Sequence, residues 1–137
     1  MKKYLFFLTL VLAPAFLWAH AGHDKEVGVF DPPHNGTFVK FSDDYAEVFL
    51  SGGKIHFCFV EGDGKAPDEN RIPKKIVLSV TPKHGKTTIL KAPSGDKDGC
   101  ASWDFNPGTA RLIRVEIEAE IGGEKFNAFL VYETLDL

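Results

Sequence analysis

Five histidines occur in the 137-residue sequence, and three of them fall close together near its start: His20-Ala21-Gly22-His23-Asp24, then His34. A neutral imidazole is the commonest protein ligand for Cu, Zn and Ni. This stretch therefore offers several nitrogen donors, with the Asp24 carboxylate as a weaker oxygen donor. A second set lies further along. His56 and Cys58 stand two positions apart and, with Cys100, would make a soft-ligand site for Cu(I) or Zn if both thiols stayed reduced. Each set has a plainer reading. A polar, His-containing arm also serves as a solvated linker, and two cysteines in an oxidising space form a disulfide that leaves His56 exposed or hydrogen-bonded. His84, in a Pro-Lys-His-Gly turn, reads as solvated.

Compartment decides between these readings, and the first residues point to export. Lys2 and Lys3 precede the apolar run Tyr4 to Ala13, and after Pro14 the segment closes on Leu17-Trp18-Ala19-His20-Ala21. That order of charged, apolar and small residues is a cleavable secretory signal over residues 1–21. The run is too short for a membrane-spanning helix, which needs roughly 20 apolar residues. We therefore expect a periplasmic or secreted protein with no stable membrane anchor after cleavage. Ala19-His20-Ala21 places the cut after Ala21; a cut after Ala19 remains open. The choice matters chemically. A chain starting at Gly22 offers its α-amine, the His23 amide and the His23 ring as a nitrogen set suited to Cu(II), whereas one starting at His20 chelates through its own amine and ring and opens a copper-enzyme reading.

Loss of Lys2 and Lys3 leaves 14 basic residues against 19 acidic, so the formal charge moves from −3 to −5. Such a balance argues against nucleic acid as a partner. Catalytic signatures are missing: there is no Gly-x-Ser-x-Gly, His-Glu-x-x-His, phosphate-cradling Gly loop or Cys-x-x-Cys. Glu116, Glu118 and Glu120 share one strand face, where solvation is the simpler account. We expect a non-enzyme. With Cys58 and Cys100 both in the exported part, a single disulfide is the default. It would close a loop of about 42 residues and contribute about 3–4 kcal/mol in the chain-entropy model.

The elements that would position these residues are strands. Residues 22–35, rich in His, Gly, Pro and Asp, show no sustained period and read as an irregular arm. From residue 36 to 137 brief β-rich runs alternate with turn residues: Thr37–Phe41, Tyr45–Leu50, Lys54–Val60, Lys75–Thr81, Thr87–Lys91, Cys100–Phe105, Leu112–Ile121 and Lys125–Tyr132. The polar segment Glu61–Pro73 is the longest loop and a candidate mobile one. In Leu112–Ile121 the apolar Ile113, Val115, Ile117, Ala119 and Ile121 alternate with Arg114 and three glutamates. Gly122-Gly123 then reads as a hairpin turn, and Trp103 as a core residue. About eight such strands without a helical layer predict an all-β antiparallel β-sandwich, immunoglobulin-like in type.

Pro33-His34-Asn35-Gly36, the strand that follows it, and Asp44-Tyr45-Ala46-Glu47-Val48 together resemble a small periplasmic module. That module occurs in the N-terminal regions of periplasmic adaptor subunits of heavy-metal resistance-nodulation-division pumps and in stand-alone exported proteins. Its segment reads Pro-His-Gly-Gly, a short strand, and Asp-Tyr with a following Glu; this chain has Asn35 where the family has Gly. The likeness covers roughly residues 22–60 and continues only as a shared strand pattern. It implies His20, His23 and His34 as metal contacts, with Asp24 weaker, for a Cu, Zn, Ni or Co ion. The implied partner is a metal-efflux or other envelope protein. Because the adaptor's helical hairpin, lipoyl-like and barrel parts are missing, the resemblance does not extend to bridging a pump and a channel. The competing function is a non-catalytic envelope interaction module with incidental histidines.

Intact-mass measurement of the exported protein, with and without reductant and alkylation, is expected to place the mature N-terminus at Gly22 and to show two alkylated thiols only after reduction. A chain starting at His20 would move the first donor set to the His20 amine and ring.

Overall fold

Strict alternation of apolar and polar side chains lets one face of a strand be buried while the other stays wet, and this pattern organises the chain. The structure, a computed structural model, describes residues 31–134; the segment 1–21 read as an export signal, His20, His23 and Asp24 lie outside the described residues. Eight strands follow in order: β1 (Thr37–Phe41), β2 (Asp44–Ser51), β3 (Lys54–Val60), β4 (Lys74–Pro82), β5 (Thr88–Ser94), β6 (Cys100–Asp104), β7 (Leu112–Ile121) and β8 (Glu124–Glu133). They form two four-stranded antiparallel sheets, ordered β1-β2-β3-β6 and β5-β4-β7-β8. The fold is an all-β sandwich of eight strands.

Its core lies between the sheets. Ala46, Val48, Ile55, Phe57 and Phe59 from the first sheet meet Ile76, Leu78, Val80, Ile113, Val115 and Ile117 from the second. Trp103 packs partly buried against this core and donates its Nε1–H to the Lys91 carbonyl at 3.1 Å, joining β6 to β5 across the sandwich. The β7–β8 hairpin turns at Gly122 and Gly123, whose φ values of 60° and 85° are what a two-residue turn matching the strands' twist demands. Strand β5 runs on to Ser94, beyond the Lys91 read from the sequence, because β4 continues to supply ladder partners as far as Lys74. Its weak alternation has a cause: β5 is an edge strand and contains Pro93, tolerated where no inward donor is needed.

The long loop after β3 is held at both ends. Asp44, nearly buried, accepts the Gly62 N–H at 3.0 Å and ion-pairs with Arg71, whose guanidinium also lies 5.8 Å from the Phe59 ring centroid. A single 3-10 turn, Glu69–Arg71, and the buried Pro67 and Pro73 complete the anchorage.

Cys58 and Cys100 face one another on the neighbouring strands β3 and β6 and form a disulfide, with their Cα atoms 4.0 Å apart. Phe59 N–H donates to the Gly99 carbonyl at 3.0 Å beside them. The cysteines therefore occupy a non-hydrogen-bonded pair, the closer of the two antiparallel positions. The bridge ties the short edge strand β6 to the sheet. Replacing both cysteines by alanine is expected to lower the unfolding free energy by about 3 kcal/mol in urea titration, with the native strand content by circular dichroism retained.

Candidate functional site

Strand alternation puts Glu47 on the outer face of the first sheet, between the core-facing Ala46 and Val48. An outward carboxylate should be wet, yet Glu47 is 0% exposed. The end of the N-terminal arm covers it. Oε1 accepts the backbone N–H of His34 at 3.0 Å and that of Gly36 at 2.8 Å, while Oε2 lies 2.8 Å from His34 Nδ1. Burying a carboxylate is costly unless such donors replace water, and charge-assisted bonds are the strong ones.

Local backbone chemistry makes this closure possible. Asn35 adopts a left-handed φ of 56°, and its N–H donates to the Pro32 carbonyl at 3.1 Å, so the chain turns sharply into β1. A Cβ on Gly36 would stand 2.7 Å from the Val48 carbonyl oxygen and 2.9 Å from Glu47 Oε1. Only glycine lets the backbone approach the carboxylate so closely. Gly36 is thus required for proximity, and the left-handed φ of this turn is at Asn35.

The His34 ring is oriented by the same carboxylate. A carboxylate oxygen accepts, so Nδ1–H is the donor to Glu47 Oε2, and a neutral ring in this orientation would carry its lone pair on Nε2. The side chain is 47% exposed. His34 stacks on Phe49 at 4.5 Å between centroids and 13° between planes, and Phe49 stacks on His56 at 4.5 Å and 8°. Both nitrogens of His56 are engaged: Nδ1 lies 2.7 Å from Ser102 Oγ, and Nε2 lies 3.3 Å from the Ser51 carbonyl. The carbonyl accepts only, so Nε2 carries the proton and Nδ1 takes the Ser102 hydroxyl hydrogen.

Of the residues singled out from sequence, then, His34 is half-exposed and, among the described residues, makes no hydrogen bond through Nε2. His56 is spoken for by hydrogen bonds. Cys58 and Cys100 are joined to one another, so the soft set of His56 with two thiolates does not exist in the oxidised chain. His20, His23 and Asp24 lie outside the described residues, and His84 sits exposed in its turn at a φ of 66°. Among the described residues, no group of three or more His, Cys, Asp or Glu is arranged to hold a metal ion. His34 can therefore supply one ligand, and the rest must come from elsewhere.

The acidic face of β7 is occupied by ion pairs. Glu116 lies 2.9 Å from Arg114 Nη2, and Glu120 2.7 Å from Lys75 Nζ. The Lys75 ammonium holds the Glu120 carboxyl below the usual range, the wrong direction for a general acid at neutral pH.

Two anchoring carboxylates, Glu47 and Asp44, were not among the candidate site residues read from the sequence. The available signal was an acid at each end of Asp44-Tyr45-Ala46-Glu47, just after a Pro-His-Asn-Gly turn. No protein-family model matches the chain, and no curated protein or solved structure matches it either.

Glu47→Ala orphans the docked arm and is expected to cost about 2–4 kcal/mol in chemical denaturation. His34→Ala should cost less, because the two backbone donors remain on the carboxylate. Gly36→Ala should fall nearer to Glu47→Ala, because its methyl group meets backbone as well as the carboxylate.

Proposed function

We propose that this is an exported protein that binds a Cu, Zn, Ni or Co ion weakly through its N-terminal arm, in metal handling or efflux rather than catalysis. The observation that carries this reading is the Glu47–His34 pair, with Nδ1 on a buried carboxylate and the His34 side chain half-exposed. Metal-bound histidines almost always give their second ring nitrogen to such an acceptor, which fixes the ring and makes it a better ligand. His34 would be the fixed donor, and Asp24 and His23, 10 and 11 positions earlier, would supply the others, joined by His20 only where the cut falls after Ala19. One donor fixed by the fold, with the other ligands supplied by separate residues, accounts for weak, exchangeable binding, as a carrier needs and a structural site does not.

The resemblance to the N-terminal regions of heavy-metal efflux adaptors supports the same reading and suggests an envelope metal-efflux protein as partner. Order within the sandwich agrees with an immunoglobulin-like arrangement: β3 pairs with β6 in one sheet as β4 pairs with β7 in the other, so two consecutive pairs interlock across the core.

Titration calorimetry of the processed protein with Cu(II), Zn(II), Ni(II) and Co(II) tests the reading. At least one ion should bind, His34→Ala and His23→Ala should each weaken it, and Glu47→Gln should weaken it about tenfold. Absence of binding by all four ions, or binding indifferent to both histidine substitutions, would overturn it.

A further inference from the structure

The four sheet edges are unequal. Strands β1 and β6 have five residues each, β6 is further clamped by the disulfide, and β5 carries Pro93. Short length and proline are devices by which natural sheets blunt their edges. Strand β8 has none of them. It runs ten residues, Glu124–Glu133, without proline and without a register shift against β7, and its outer face exposes Phe129 (64%) and Val131 (55%).

The phase of its backbone groups can be read from the ladder. Thr134 N–H donates to the Arg111 carbonyl at 2.8 Å, continuing the register in which Leu112 opposes Glu133. Even-numbered residues of β8 therefore direct N–H and C=O at β7. Those of Lys125, Asn127, Phe129, Val131 and Glu133 point at the open edge. A second β8 laid antiparallel must pair odd residues with odd, which leaves few registers. With Phe129 on a two-fold axis, Phe129 meets Phe129, Asn127 meets Val131, and Lys125 of each copy faces Glu133 of the other. Every outward backbone group is then paired, and two opposite-charge pairs flank an aromatic centre. Moving the register by one step in either direction loses both charge pairs.

We propose that β8 is a homodimerisation edge, at which two copies of this chain join antiparallel about Phe129 into one continuous eight-stranded sheet. A second copy is the favoured occupant because the strand is complementary in charge to itself in this one register. The interface uses neither His34 nor Glu47 and needs no metal.

Sedimentation equilibrium of the processed protein, in chelator, from about 1 µM to about 1 mM should show a monomer–dimer equilibrium. Lys125→Glu and Glu133→Lys each convert two attractive pairs into repulsive ones and should weaken dimerisation about tenfold. The double exchange, Lys125→Glu with Glu133→Lys, should restore it. Both side chains are solvent-facing, so circular dichroism is expected to show all three variants folded. A monomer throughout that range, a dimer indifferent to the single reversals, or a double variant as weak as the singles would overturn the proposal.

Discussion

A buried carboxylate on the wrong face of a sheet sets the terms for half of this molecule. Glu47 stands where alternation puts solvent, and away from water its two oxygens are satisfied by the three donors that His34 and Gly36 bring. The demand propagates through the arm. Gly36 must lack a side chain to come close, Asn35 must turn left-handed to bring the chain round, and the His34 ring must lie flat against Phe49. The ring's tautomer, and hence the nitrogen it presents, follows from which oxygen it meets. A residue that looks like a free donor in an unstructured arm is in fact held by the fold.

The same row of the sheet is secured at its other end by a covalent bond. Glu47 opposes Cys58, and Cys58 opposes Cys100, so the arm, β2, β3 and β6 are fastened along one line on the outer face. Asp44, three residues before Glu47, does for the following loop what Glu47 does for the preceding arm, accepting Gly62 and pairing with Arg71. The Asp44-Tyr45-Ala46-Glu47 segment is thus a pair of structural carboxylates that hold two irregular segments to the rim of a regular sheet. Loops of this kind leave polar backbone groups to be satisfied, and charged side chains on a strand are a compact way to satisfy several at once.

The two sheets consequently carry different surfaces. On the first, the arm and the stacked His34, Phe49 and His56 rings cover a face that ends in a single available imidazole nitrogen. On the second, Lys75 pairs with Glu120 across β4 and β7 and Arg114 with Glu116 along β7, and exposed apolar side chains lie on both edge strands, Ile89 on β5 and Phe129 and Val131 on β8. Ligand binding on one face and self-association on the opposite sheet can therefore operate without competing for residues.

Strand identity was legible in the residues themselves. Alternation in Lys54–Val60 and Leu112–Ile121, and the Gly-Gly turn between β7 and β8, are local signals whose physics is complete within a few residues, and those elements have the bounds read from them. The cysteines were legible as a pair only on condition that their strands were neighbours. Pairing order is a long-range matter of which strands share a sheet, and only the tertiary structure decided that β6 lies beside β3. The site was the least legible part. His34 could be named as a donor from its type and surroundings, but that Nδ1 is taken and Nε2 free depends on a carboxylate 13 positions away across a turn. His56 and Cys58 formed a plausible ligand pair by spacing, and the fold assigned both to other partners. Residue types set which chemistry was possible; proximity between segments, which no local period encodes, decided which of it each side chain is free to do.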